Sequence, residues 1–212
     1  MQSKRARKKL KNRIVLLGVT GGIGSGKTAV CSFLKQMGCS VYHADDIAKQ
    51  LYIDNVPLRR KLVKLFGTRI HDNKKDISVE KLRKLVFSNK YNQQRVGRIV
   101  HPFVISELMK RIKSDESNFI VIEAALIFET NFDKYLDYTI LIRSNVKTRI
   151  KRISERNHIT GNNVKKIIKL QMPEKEKTEK ADFVIPNNGN INELKKNVKL
   201  VFQTIKRNVK YE

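Results

Sequence analysis

Residues 21–28 read Gly-Gly-Ile-Gly-Ser-Gly-Lys-Thr and fit the pattern G-x-x-x-x-G-K-[S/T]. No other feature constrains the fold of this chain so tightly. An apolar run at 14–19 precedes the octapeptide and a helix-like stretch at 29–34 follows it, the strand–loop–helix setting that a phosphate-binding loop requires. Glycines let the backbone curl until successive N–H groups point inward at phosphate oxygens. A helix starting near Gly26 adds the positive end of its dipole. Gly22, Gly24, Ser25, Gly26, Lys27, Thr28 and Ala29 are therefore the candidate residues for holding a nucleoside triphosphate. Lys27 would reach the β- and γ-phosphates, and the Thr28 hydroxyl would ligate Mg²⁺.

A chain of 212 residues suits one α/β domain with insertions and can bury a sizeable core. No apolar run approaches the ~20 residues of a membrane span. Residues 1–13 carry seven Lys/Arg and no acid but lack the apolar segment of a secretory signal, so we expect a disordered basic extension and a cytoplasmic protein. Cys31 and Cys39 have no metal-ligand spacing and read as reduced thiols. The 45 Lys+Arg against 20 Asp+Glu suggest either nucleic-acid binding or lysine drift with attraction to a polyanionic substrate. The charge is spread along the chain and no aromatic-interleaved basic motif occurs. The expected partners are thus small molecules, with no membrane and no specific nucleic acid, for a monomer or small homo-oligomer.

Hydrophobic patterning predicts a strand at 14–19, a helix at 27–37 stopped by Gly38, and a short strand at 40–42. From 44 to 113 the pattern is mostly helical, in segments 45–51, 58–66, 79–87 and 92–111. A polar turn region at 67–76 interrupts it, and Pro102 is expected to kink or restart the last helix. Uninterrupted apolar strands follow at 119–122, 138–142 and 183–185, and an amphipathic helix at 192–210 closes the chain. Strands separated by helices in this way predict a parallel sheet covered on both faces.

Several residues around the loop are candidates for chemistry. Asp45 follows the second strand, where it could orient an attacking hydroxyl or take its proton; an Asp there could equally cap the next helix, and Asp46 could share the two roles. Glu123 ends an apolar strand, a position suited to holding Mg²⁺ through water or simply to strand-end solvation. Glu129 is a second candidate for site architecture, and His101 is a packing or substrate-side residue. Arg149, Arg152 and Arg156 recur at helical spacing and share one face. That face is either a phosphate-neutralising lid surface, favoured by arginine's planar fork, or a solvated basic helix.

Taken in order, these stretches resemble the dephospho-coenzyme A kinase family of nucleoside-monophosphate-kinase-like P-loop proteins. The likeness rests on Gly18-Val19-Thr20 leading into the octapeptide, Ala44-Asp45-x-Ile47-Ala48, Ile99-Val100-His101-Pro102 and Leu126-Ile127-Phe128-Glu129. It continues through Arg152-x-x-x-Arg156, Gln171, Ala181-Asp182 and Asn187-Asn188-Gly189. It runs from about residue 14 to the closing helix. The resemblance implies a three-layer α/β P-loop NTP hydrolase fold with a parallel sheet, a helical substrate-binding insertion at about 45–113 and a lid at about 144–180. The nucleotide core would be 14–44, 114–143 and 181–212. It implies phosphorylation of the ribose 3′-hydroxyl of dephospho-CoA by ATP with Mg²⁺. Asp45 then matches the acidic residue acting on that hydroxyl, Arg152 and Arg156 match lid arginines near the ATP phosphates, and His101 lies near the acceptor. Three positions depart from the family's habit. His43 stands where Asp is frequent, Ala125-Leu126-Ile127 where Pro-Leu-Leu is frequent, and Ala29 where a hydroxyl residue is frequent.

Overall fold

The computed structural model describes residues 14–72, 76–86, 88–157 and 161–211, so the basic segment 1–13 lies outside the described residues. The chain forms two compact units, His43–Ser114 and the remainder. The larger unit is built on a five-stranded sheet of order β2-β3-β1-β4-β5. Its strands are β1 (Val15–Thr20), β2 (Ser40–His43), β3 (Phe119–Glu123), β4 (Tyr138–Arg143) and β5 (Phe183–Pro186). The β1–β3, β1–β4 and β4–β5 pairs are parallel, with Val19 opposite both Glu123 and Ile140.

Period-2 alternation divides the sheet's residues between two faces. Val15, Leu17, Val19, Val121, Ile140 and Ile142 point to one face, where they join Val30, Cys31 and Leu34 of α1 (Lys27–Gln36) and Leu194, Val198, Phe202 and Ile205 of α9 (Ile191–Tyr211) in a single core. Phe119 and Phe202 meet edge to face at 5.2 Å, a geometry aromatic quadrupoles favour. On the opposite face Gly18 leaves room for Leu136 and Ile127; a Cβ there would overlap both side chains. Both cysteines are free and buried in the described core, and burial pushes the Cys39 thiol up to about 11.

Between β4 and β5 the basic segment folds into α6 (Val146–Asn157), α7 (Gly161–Leu170) and α8 (Glu174–Lys180). The sparse apolar residues there are well placed, with Ile153 and Val164 fully buried. No described helix is long and apolar enough to cross a membrane.

The second unit, taken alone, is helical. It contains α2 (Ala44–Asp54), α3 (Val56–Phe66), α4 (Val79–Val86) and α5 (Lys90–Lys113), and α5 packs against the other three. Buried Val96, Val100, Val104, Leu108 and Ile112 recur every four residues, the spacing of one helix face. Contrary to the expected restart, α5 runs through Pro102 as one element. The proline lies on the exposed side, so the buried stripe is uninterrupted and offsets a proline cost of about 3 kcal/mol. The region expected to be a polar turn is also more ordered than its composition suggests. A 3₁₀ turn at Gly67–Ile70 is followed by a bridge between His71 and Ile77, and Ile70 is fully buried. Of that region, residues 73–75 lie outside the described residues.

Candidate active site

The octapeptide links the end of β1 to the start of α1. Gly26 is the N-cap of α1 at φ 100°, a left-handed conformation that glycine adopts without steric cost. Among the described residues the N-cap Gly26 makes no side-chain cap hydrogen bond and the first turn holds no acid, so the positive end of the dipole is directed at the loop. An anion seated there meets backbone N–H groups, as a triphosphate tail requires. Thr28, in the first turn of α1, is exposed.

Lys27, the first residue of α1, and Glu123, the last residue of β3, come together. Lys27 Nζ donates to Gly21 O at 3.2 Å and lies 3.9 Å from Glu123 Oε1, and the two side chains are only 11% and 14% exposed. The register explains the approach, because Glu123 is the last residue of β3 and pairs with Val19, two residues before the octapeptide begins. Shielding from water strengthens any charge interaction made there.

The back of the loop is held by side chains distant in sequence. Asn187, just after β5 and 6% exposed, donates through Nδ2 to Ser25 O at 2.7 Å. Its backbone N–H donates to Arg143 O at 2.7 Å. Arg152 donates through Nη1 to Asn187 O at 3.2 Å and through Nη2 to Asn187 Oδ1 at 3.4 Å. A Cβ built on Gly26 would stand 3.9 Å from Arg152 Nη1, so this guanidinium sits beside the loop. Gln171 Oε1 accepts the N–H of Ile23 at 3.1 Å.

Arg149 differs from the shared-face expectation. It is 5% exposed, and its Nε donates to Ile23 O at 2.9 Å. Its Nη1 lies 3.6 Å from Glu174 Oε2, while Glu174 Oε1 lies 3.4 Å from Arg143 Nε. Burial draws the Arg149 pKa down and the Glu174 carboxylate draws it up. Helical spacing did place Arg149 and Arg152 near one another. The carbonyl of Ile23 and the carboxylate of Glu174 occupy the fork of Arg149, which is turned into the protein. Arg156 lies on α6, but its side chain falls outside the described residues.

Glu129 is a structural junction. Its Oε1 accepts the Met172 N–H at 2.9 Å and lies 2.7 Å from Lys177 Nζ, which also donates to Ala125 O at 3.2 Å. Lys177 is 2% exposed. This pair ties α8 to the segment that follows β3.

Asp45 and His101 belong to the helical unit. The N-cap of α2 is His43, so Asp45 stands in the first turn and does not cap the helix. It is exposed, favourably placed for the helix dipole, and its charge adds to the burial that pushes the Tyr52 hydroxyl up to about 12. Asp46 is engaged differently, with Lys49 Nζ 2.7 Å from its Oδ1. That hydrogen bond holds its carboxyl below the usual range. His101 is packed in the helical unit against Gly97, where a Cβ would stand 2.7 Å from its Cε1. Burial lowers the His101 pKa.

The loop thus brings together Gly22, Gly24, Ser25, Gly26, Lys27, Thr28 and Ala29, with Glu123 beside Lys27 and Arg152 beside Gly26. The clamping roles of Asn187, Gln171 and Arg149 were not predicted, since each lies more than 120 positions from the atom it holds. The signals in the chain are the helical spacing of the arginines, the isolated Gln171 and the Asn-Asn-Gly run, and no local pattern reveals which atoms they hold.

Comparison with known proteins narrows the chemistry. The sequence model of the dephospho-CoA kinase family matches residues 15–193. The chain is 36% identical over 193 residues to a dephospho-CoA kinase of Fusobacterium nucleatum subsp. nucleatum, covering 91% of this chain and 99% of that one. Among solved structures it is similar to a Thermus thermophilus protein (TM-score 0.78, 27% identity, 91% and 98% of the two chains). It is also similar to a dephospho-CoA kinase from Campylobacter jejuni (TM-score 0.63, 26% identity, 91% and 98%).

Proposed function

The chain belongs to the dephospho-CoA kinase family and is an ATP-using kinase, and we propose how its residues divide the transfer of the γ-phosphoryl group to the ribose 3′-hydroxyl of dephospho-CoA. That reaction, the last step of coenzyme A biosynthesis, yields coenzyme A and ADP. The observation that carries the reading is the family match over residues 15–193, a range that includes the loop, Asp45, His101 and Arg152. Relatives 33–36% identical over 85–91% of this chain are named for dephospho-CoA and not for acceptors such as nucleoside monophosphates or sugars.

Phosphoryl transfer asks the protein for in-line positioning and for cations around charge spread over the transferring group. The loop amides and the N-terminus of α1 hold the phosphates, and Lys27 reaches the β- and γ-oxygens. Arg152 and Arg156 approach from residues 144–180, which act as the lid; its closure excludes water that would otherwise take the phosphoryl group. Asp45 orients the 3′-hydroxyl and receives its proton, with His101 on the acceptor side. Residues 43–114 are the part that holds dephospho-CoA.

The Thr28 hydroxyl and the Glu123 carboxylate are hard oxygen donors, a set that suits Mg²⁺ held partly through phosphate and water. When bound there, Mg²⁺ would supply positive charge to offset that of the phosphates. Such a protein works where ATP and coenzyme A precursors are, in the cytoplasm.

Incubation with ATP, Mg²⁺ and dephospho-CoA is expected to give a product heavier by one phosphoryl group, with ADP released in equal amount. An acceptor panel that favoured a sugar or a nucleoside monophosphate would overturn the reading. Asp45→Asn is expected to lower kcat by about 100-fold, at the lower end of acid–base contributions, with KM for ATP little changed. Near-parental turnover at neutral pH would remove Asp45 from its role.

A further inference from the structure

We propose that Arg149 and Asn187 are positioning residues that rotate two peptide units of the phosphate loop so that the N–H groups of Gly24 and Gly26 face the triphosphate. The proposal rests on the reading of residues 21–28 as the ATP site, and it concerns what gives that loop its shape. A trans peptide is planar, with its C=O and the following N–H pointing in opposite directions, and the described residues hold no cis peptide bond. Whatever holds a loop carbonyl on one side therefore aims the next amide at the other.

Two carbonyls are held in this way. Arg149 Nε donates to Ile23 O at 2.9 Å, so the Gly24 N–H points away from Arg149. Asn187 Nδ2 donates to Ser25 O at 2.7 Å, so the Gly26 N–H points away from Asn187. The intervening amides are committed elsewhere. The Ile23 N–H goes to Gln171 Oε1 at 3.1 Å, and the Ser25 N–H goes to Gly22 O at 3.0 Å. The loop's donors thus alternate, with Ile23 and Ser25 bonded within the protein and Gly24 and Gly26 turned the other way.

The clamps are themselves fixed. Arg149 is almost fully buried, Glu174 lies 3.6 Å from its Nη1, and its guanidinium occupies the space a Cβ on Gly22 would need. Only glycine at position 22 lets the fork come this close to the backbone. Asn187 is anchored through its own N–H to Arg143 O, and its two oxygens accept from Arg152. Arg149 and Arg152 lie one turn apart on α6, so one helix acts on both peptides, directly at Ile23 and through Asn187 at Ser25. A guanidinium suits the first position because it is planar, permanently charged and able to hold a carbonyl and a carboxylate together.

Two measurements test the proposal. In the parent protein, backbone amide resonances are followed while Mg·ADP is added. The Gly24 and Gly26 amides should shift strongly, and those of Ile23 and Ser25 little; the reverse pattern would overturn the assignment. Arg149→Met keeps the buried stem and removes the donors. It should raise KM for ATP about tenfold, the size of one lost hydrogen bond to a charged group. KM for dephospho-CoA should stay unchanged, and Arg149→Lys should recover part of the loss. A merely structural role predicts instead equal changes in both KM values, or a KM for ATP within about twofold of the parent, and either result would sink the proposal. Parental turnover of ATP with dephospho-CoA, measured first, tests the kinase reading separately.

Discussion

Lys27→Ala is expected to lower kcat by about 100- to 1,000-fold, the usual cost of removing one preorganised group that stabilises transition-state charge. The geometry supports a large effect. Lys27 Nζ lies between Gly21 O and Glu123 in a place where the side chain is only 11% exposed. Water cannot easily replace the lost cation there, and the effective dielectric is well below that of bulk solvent. The uncapped N-terminus of α1 remains in the variant, so ATP should still bind, although more weakly. Steady-state kinetics with each substrate varied in turn would separate the two effects. Loss confined to KM for ATP, with kcat intact, would mean that Lys27 binds ground and transition states equally. A thermal midpoint close to the parent's would show that the loss is not one of folding.

The parts of the fold legible in the sequence were those fixed by local pattern. β1, the loop and α1 follow from an apolar run, glycines and a helical stretch that adjoin in the chain. The strands β3, β4 and β5 follow from short uninterrupted apolar runs. Reading failed where tertiary packing overrode a local rule. A restart at Pro102 does not occur, because its ring faces solvent while Val100 and Val104 stay buried on the other side and α5 continues as one element. The polar composition of residues 67–76 hides the buried Ile70 within their first turn.

Around the site the limit is sequence distance. Helical spacing placed Arg149 and Arg152 on one face, but not what each would meet. Arg149 meets a carbonyl 126 positions away, and Asn187 holds one 162 positions away. Neither residue carries a local signal of such a partner. Asp45 was open between cap and catalyst. The N-cap falls on His43 because the helix begins directly after the strand, leaving Asp45 in the first turn.

The same distance hides the second large effect. Lys177→Met is expected to destabilise the fold by about 3–5 kcal/mol, the cost of breaking a buried ion pair by removing one partner. Lys177 is fully buried, and its ammonium sits 2.7 Å from Glu129 Oε1 with Ala125 O as a further acceptor. Without it, the Glu129 carboxylate keeps, among the described residues, the Met172 N–H on Oε1 and no hydrogen-bond partner for its buried Oε2. A loss of that size is a large share of the roughly 5–15 kcal/mol that holds a domain together. Urea unfolding of the larger unit should therefore shift to a clearly lower midpoint. If the cost comes from the stranded charge, removing that charge should return much of it. Lys177→Met combined with Glu129→Gln is thus expected to be more stable than Lys177→Met alone, and the double-mutant cycle isolates the coupling. A double variant as unstable as the sum of the two single changes would show that the pair acts through packing of the lysine stem and not through charge.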